Sequence, residues 1–379
     1  MKKLVTLLLA IVMTVSLVAC GAPQTPAKES AAAEPSAPAA EAKAEAPAEA
    51  AAGGGMIVYS HRTLDAQAHV AMQTGIQNQS EADGYNFKAE VCNLDLATQI
   101  DQIKTHISNA KADNLKALFV NPLDSDGVVD VAKEAITAGI PVICIDTPLS
   151  GGDLALSVVF SNKQCGVLAG EEVVRLLTEK YGEPKGTFVN VYGSVKSQAW
   201  RERKEGLESV ISKYPNIKYV EVAGEGEMAK SQEALANKLV ELNYEVDAVH
   251  APSDEPCLGL AEALKAADMW KKVGEEGHVI FVSNDGEPSA LKNIKDGYYD
   301  STICLDCVGI GSVAVKLVEE YTLQGKEIPS TGTYDDEAYA WKTAKFSKGD
   351  NGPVLEIPPY IITSKNVDDA SNWGNVVAK

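Results

Sequence analysis

From Met56 onward the chain alternates between two textures. One is a series of short apolar runs rich in β-branched residues: 56–60, 87–91, 117–121, 141–146, 156–161, 186–192, 218–223, 247–252, 279–285 and 301–306. Continuous runs of this kind predict parallel strands buried on both faces. The other texture has a helical period. Between Asp95 and Ala110, Leu96, Ile100, Ile103 and Ile107 recur at spacings of four, three and four, which puts them on one helix face. Asp95 is placed to cap that helix. The same pattern predicts helices at 65–83, 125–138, 164–181, 198–213, 228–242, 256–268 and 308–324, and many stop at a glycine such as Gly84, Gly139, Gly182 or Gly325.

Repeated strand–helix–strand units imply parallel sheets with right-handed crossovers and helices on both faces. A weak internal echo divides them. Val120 to Asp126 opens a helix that leads through Gly139 to the run ending at Asp146. Ala251 to Glu255 opens another that leads through Gly277 to the run ending at Asp285. The expected fold is therefore α/β, with two similar doubly wound lobes. Ligands of open α/β sheets sit at the carboxyl ends of strands. Facing lobes would bring Asn121 and Asp146 opposite Asp285, and Asn284 beside it is also expected at the ligand.

The first 55 residues fit neither texture. Lys2 and Lys3 precede an apolar stretch, Leu4 to Val18, of signal-peptide length and short for a membrane span. Leu17-Val18-Ala19-Cys20-Gly21 resembles a bacterial lipobox, in which Cys20 would be acylated and become the N-terminus; the alternative is an ordinary secretory signal with a chance cysteine. Gly21 to Gly55 contains no Leu, Ile, Val or aromatic residue, and its prolines interrupt any Ala/Glu helix. It reads as a tether with an end-to-end distance of roughly 30 Å. The expected division is a signal over 1–19, a lipidated tether over 20–55, one lobe from 56–161 plus 306–328, and another from 162–305 plus 329–379.

Charge narrows the partners. The 379 residues carry −19, from 34 Lys+Arg against 53 Asp+Glu. That balance opposes nucleic-acid binding, which needs clustered cations. The tether has two Lys against five Glu, so most of the acidity lies in the body. Six cysteines follow Cys20. Cys92, Cys144 and Cys304 sit inside strand-like runs, where a thiol behaves as a small hydrophobe. Cys304 and Cys307 have metal spacing but no second ligand pair, so buried free thiols are expected and no metal or other cofactor. Walker A, GxSxG and HExxH patterns are absent. Arg201 and Arg203 in WRERKEG could line a solvated helix face. Opposite strand-end carboxylates, an Arg fork would instead complete a site for a polyhydroxylated ligand.

These residues together resemble the bacterial type I periplasmic solute-binding proteins of the ribose-binding type. The stretches that carry the likeness are NPLDSDGV (121–128), IPVICIDTP (140–148), WRERKEGLE (200–208), SDEPCLGLAEAL (253–264), NDGEP (284–288) and GYYDSTI (297–303). The resemblance implies a non-enzymatic monomer that closes on a sugar or polyol and delivers it to an ABC transporter permease, or presents it to a membrane signalling partner. It places ligand contacts at Asn121, Asp146, Arg201 and Asp285. Ser253 falls where the family has an Asn, Leu305 beside Asp306 where it has a Gln, and Thr147 where it has an Arg. In the first strand turn, where the family stacks aromatic rings on the sugar, stand Arg62, Asp65 and His69; Trp200 is a possible stacking face. The resemblance also implies three crossings between lobes, near Ser161–Asn162, Leu305–Asp306 and Gly325–Thr331, with residues 331–352 as an insertion.

Overall fold

The computed structural model describes residues 54–64, 66–195 and 197–378. The signal-like segment, Cys20, most of the tether and Asp65 lie outside the described residues.

In the first lobe, β1 (Met56–His61), α1 (Gln67–Ala82), β2 (Asn86–Val91), α2 (Leu96–Asn109), β3 (Leu115–Val120), α3 (Val129–Thr137), β4 (Val142–Ile145) and β5 (Leu156–Phe160) follow in order. The strands are parallel and lie β2-β1-β3-β4-β5. The second lobe repeats the plan with α4 (Asn162–Tyr181), β6 (Gly186–Gly193), α5 (Gln198–Ile211), β7 (Ile217–Glu225), α6 (Met228–Glu241), β8 (Ala248–His250), α7 (Asp254–Ala266), β9 (Ile280–Asp285), α8 (Pro288–Lys295) and β10 (Ser301–Cys304). Its parallel strands lie β7-β6-β8-β9-β10. The two orders correspond strand for strand, so the internal echo is β3-α3-β4 matched by β8-α7-β9. Their strand interiors form the core: β4 is buried throughout, as are the first five residues of β9.

Local chemistry sets the element ends. The Asp95 carboxylate accepts from the Thr98 amide at 2.6 Å and starts α2. Helix α3 begins four residues later than its pattern suggests, because Asp124 Oδ1 accepts from the amides of Asp126 and Gly127 and holds those residues in a turn. Helix α8 was not expected from the pattern; Pro288 opens it.

Helix α9 (Cys307–Glu320) returns to the first lobe and packs on α1 at backbone distance. A Cβ on Gly75 would lie 2.0 Å from the Val308 oxygen, and one on Gly311 2.6 Å from the Met72 oxygen. The second lobe repeats this lock between α4 and α5. A Cβ on Gly166 would meet the Arg203 oxygen at 1.8 Å, and one on Gly206 the Lys163 oxygen at 2.1 Å.

The end of the chain departs from the expected division. Strands β11 (Gly332–Asp335), β12 (Thr343–Gly349) and β13 (Gly352–Ile357) extend the first lobe's sheet beyond β5: β13 pairs parallel with β5, β12 antiparallel with β13, and β11 antiparallel with β12. Strand β14 (Tyr360–Thr363) then pairs antiparallel with β10 in the second lobe. The last crossing therefore falls at Pro358–Pro359, not at 325–331, and residues 331–352 belong to the first lobe. The cause is hydrogen bonding: β5 would be an open edge without β13. Aromatic packing seals the addition, with Tyr339 stacked on Trp341 at 4.4 Å and Lys316 paired with Asp336 at 3.0 Å. A short helix, α10 (Trp373–Val377), ends the described chain. Among the described residues no helix is long and apolar enough to cross a membrane, and the six cysteines there are buried and free.

Candidate functional site

The carboxyl ends of the two sheets carry the polar groups. Asp146 ends β4 and Asp285 ends β9, the corresponding strands of the two lobes. Both backbones are left-handed, with φ of 67° and 100°. Such a conformation costs a residue with a Cβ on the order of 1 kcal/mol or more, and aspartate tolerates it better than most.

In the second lobe Asp285 is paired. Arg203 Nη1 donates to Asp285 Oδ1 at 3.0 Å and to the Pro252 carbonyl, while Arg203 Nε donates to Asn162 Oδ1 at 3.1 Å. Arg203 is only 8% exposed. Burial works against its charge, but Asp285, Cys165 and Asp146 together outweigh this and raise the guanidinium pKa. Burial raises the Asp285 carboxyl; Arg203 opposes that rise and Asp146 adds to it. The field of Asp146, from the first lobe, thus reaches both members of the pair.

Arg201, the expected contact in this segment, is exposed and donates to the Val195 carbonyl at 2.6 Å, whereas Arg203 is the one that meets Asp285. Arg203 shares the buried stripe of α5 with Gly206, Leu207 and Val210, spaced three, four and seven residues on. Arg201, two residues earlier, lies about 200° round the helix. The stripe was present in the sequence and would have selected Arg203.

In the first lobe Arg62 follows β1 and is half-buried. Its Nε donates to the Pro122 carbonyl at 2.9 Å and its Nη2 to Thr147 Oγ1 at 2.5 Å. Thr147 in turn donates to Asp146 Oδ2 at 3.1 Å. A guanidinium from the β1 turn thus reaches Thr147, the residue beside Asp146. Asn121, fully buried after β3, approaches His69 Nδ1 at 3.5 Å. Burial lowers the His69 pKa, against the pull of Asp146. Burial, with His69 adding, lowers His61 to about 4. His61 is bonded to Gln73 at 3.0 Å and stacked on Tyr59, so it belongs to the wall. Burial thus disfavours the charged form of both imidazoles.

Three other expected contacts have structural duties. Asn284 is fully buried; it donates to the Ala251 carbonyl, meets His250 Nε2 at 2.8 Å, and accepts from Cys165 at 3.3 Å. It braces the strand behind Asp285. Asp306 caps α9 through the Gly309 amide at 2.8 Å and accepts the Trp341 indole N–H at 3.1 Å. Burial pushes its carboxyl up to about 6. Trp200 lies over Gly226, where a Cβ would come within 2.1 Å of the ring, and packs against Gly193. Ser253 is half-buried at the start of α7, and its side chain makes no capping hydrogen bond.

One residue had no signal in the sequence. Trp373, in α10, is fully buried and donates its indole N–H to the Asp285 carbonyl at 2.7 Å.

Arg62, Asn121, Asp146, Arg203 and Asp285 thus form a two-sided set of forked donors and carboxylate acceptors. Such a set suits hydroxyl groups, each of which donates once and accepts twice. Known proteins agree with the architecture. The ribose import binding protein of Salmonella typhimurium is 27% identical over 266 residues, 70% of this chain and 84% of that protein. The D-allose-binding periplasmic protein of Escherichia coli is 24% identical, over 71% of this chain and 85% of its own. An ABC transporter solute binding protein from Bacillus halodurans, solved with bound myo-inositol, is 25% identical with a TM-score of 0.63, covering 85% of this chain and 98% of that one. The periplasmic binding protein domain matches residues 57–327, through all ten parallel strands and the first two crossings, and the chain therefore belongs to the type I periplasmic binding protein family.

Proposed function

We propose that this protein is an extracytoplasmic receptor, tethered through a lipid on Cys20, that binds a small neutral sugar or polyol between its lobes and delivers it to an ABC importer. The observation that carries the reading is the pairing of Asp146 and Arg62 on one lobe with Arg203 and Asp285 on the other. The two guanidinium charges match the two carboxylate charges, which favours a neutral ligand. Relatives described as binding ribose, D-allose and xylitol, and a structural relative holding myo-inositol, support the same class.

Binding follows from the geometry. A ligand held by one lobe leaves half of its hydroxyls in water; closure adds the second set of partners, so the ligand stabilises the closed state. Each hydrogen bond to a charged group contributes about 1.5–3 kcal/mol. The first strand turn offers His69 in place of an aromatic sandwich, so affinity comes from hydroxyl contacts more than from ring stacking. Delivery needs no bond to be broken.

The test is isothermal titration calorimetry with D-ribose, D-allose, xylitol and myo-inositol, preceded by a thermal-shift screen. Saturable binding of one of these, lost in Asp146→Ala, is expected. A preference for sugar acids or amino sugars over all neutral compounds would overturn the reading.

A further inference from the structure

The segment after β14 lies beyond the family match at 57–327. It is knotted onto the second lobe. Asn372 Nδ2 donates to the Asn366 carbonyl at 2.8 Å, and Asn375 Nδ2 donates to the Val367 and Asp369 carbonyls at 2.8 Å each. Lys295 of α8 binds Asn375 at 3.2 Å and Asp368 at 3.0 Å. Trp373 holds the Asp285 carbonyl, and Gly374 lies so close to the next residue that a Cβ would meet the Gly286 oxygen at 2.5 Å. The same helix, α10, also comes within 8 Å, Cα to Cα, of α1 and α9, which belong to the first lobe. One five-residue helix therefore holds the left-handed turn that presents Asp285 and lies beside the opposite lobe.

We propose that residues 364–378 form a clasp between the lobes: through Trp373 it fixes the Asp285 turn, and through its contact with α1 and α9 it biases the ligand-free protein towards the closed arrangement. Opening the cleft separates α1 and α9 from the second lobe, so it must either break the α10 contact with them or pull Trp373 from the Asp285 carbonyl. A ligand then completes a closure already favoured, which raises apparent affinity by enlarging the competent fraction.

The test needs no ligand, so its failure leaves the sugar reading untouched. In the full chain, ketone-bearing amino acids at exposed Leu94 and Met228, one on each lobe, carry a dye pair for single-molecule energy transfer. The ligand-free protein is expected in a predominantly high-transfer population. Trp373→Ala, and a chain ending at Thr363, are expected to enlarge the low-transfer population ten-fold or more with unchanged circular dichroism. Trp373→Phe keeps the ring volume without the donor and serves if the alanine variant does not fold; it is expected to move in the same direction. An unchanged transfer distribution in the folded variants overturns the clasp.

Discussion

Replacing Arg203 by alanine separates two readings of the WRERKEG segment. Arg203 makes three hydrogen bonds, to Asn162, Pro252 and Asp285, and is the ion-pair partner of a largely buried carboxylate. Deleting one partner of a buried pair costs about 3–5 kcal/mol, because the remaining charge is left without compensation. For a body of this size that is a drop in Tm of roughly 4–7 °C. Arg201→Ala removes one exposed bond to the Val195 carbonyl and is expected to cost under about 1 kcal/mol. The double variant Arg203→Met with Asp285→Asn removes both charges, so it should recover most of the stability and none of the binding. Urea titration measures the stability and calorimetry measures the binding. If Arg203→Ala were as stable as the wild type while Arg201→Ala lost the ligand, the assignment of the pair would be wrong.

Further outcomes follow from the same contacts. Arg62→Ala should weaken binding tens-fold or more while changing stability little, since its partners are a carbonyl and a hydroxyl rather than a charge; calorimetry beside a urea titration checks both parts. Asp306 binds its proton up to about pH 6 when folded and about 3.8 when unfolded, so the native state holds more protons between these values. Its contribution therefore falls as pH rises from about 4 to 6, by up to about 3 kcal/mol, and Asp306→Asn should flatten the Tm–pH curve in that window. Gly166→Ala places a methyl against the Arg203 carbonyl and should lower both Tm and ligand affinity, whereas Gly182→Ala, in a left-handed cap with open space, should lower Tm alone. Cys20→Ser should move the protein from the membrane fraction to the soluble fraction, as seen by immunoblot.

The fold was legible where one segment's pattern suffices. Buried β-branched runs gave the parallel strands, and the repeated ending at Asp146 and Asp285 gave the two lobes. The choice between Arg201 and Arg203 needed helix phase: Gly206, Leu207 and Val210 mark the buried side of α5, and only Arg203 lies on it. The Pro358–Pro359 crossing also had a local mark, since two prolines cannot continue a ladder. The roles of Trp341 and Trp373 had none. Each indole bonds to a partner 35 or 88 residues away, and nothing in a polar, alternating tail tells which strand end it will meet. Arg62 stood in the expected turn, but its reach to Thr147 depends on the β1–β3–β4 order and appears only when the sheet is assembled.

The left-handed backbones of Asp146 and Asp285 have a consequence for how this cleft changes over generations. A chain selected only to fold gains nothing from a carboxylate at position 146, where glycine or asparagine meets the same φ with less strain. Drift at that position therefore runs towards residues that keep the turn and silence the site, with no loss of stability to expose them. A library randomised at 146 and sorted for soluble expression should be depleted of aspartate, and the same library sorted for ligand capture should be enriched in it. Position 285 differs, because Arg203 makes its carboxylate part of the folded core as well as of the site. The two corresponding aspartates thus face different hazards: one can fall silent unnoticed, and the other takes the stability of its lobe with it.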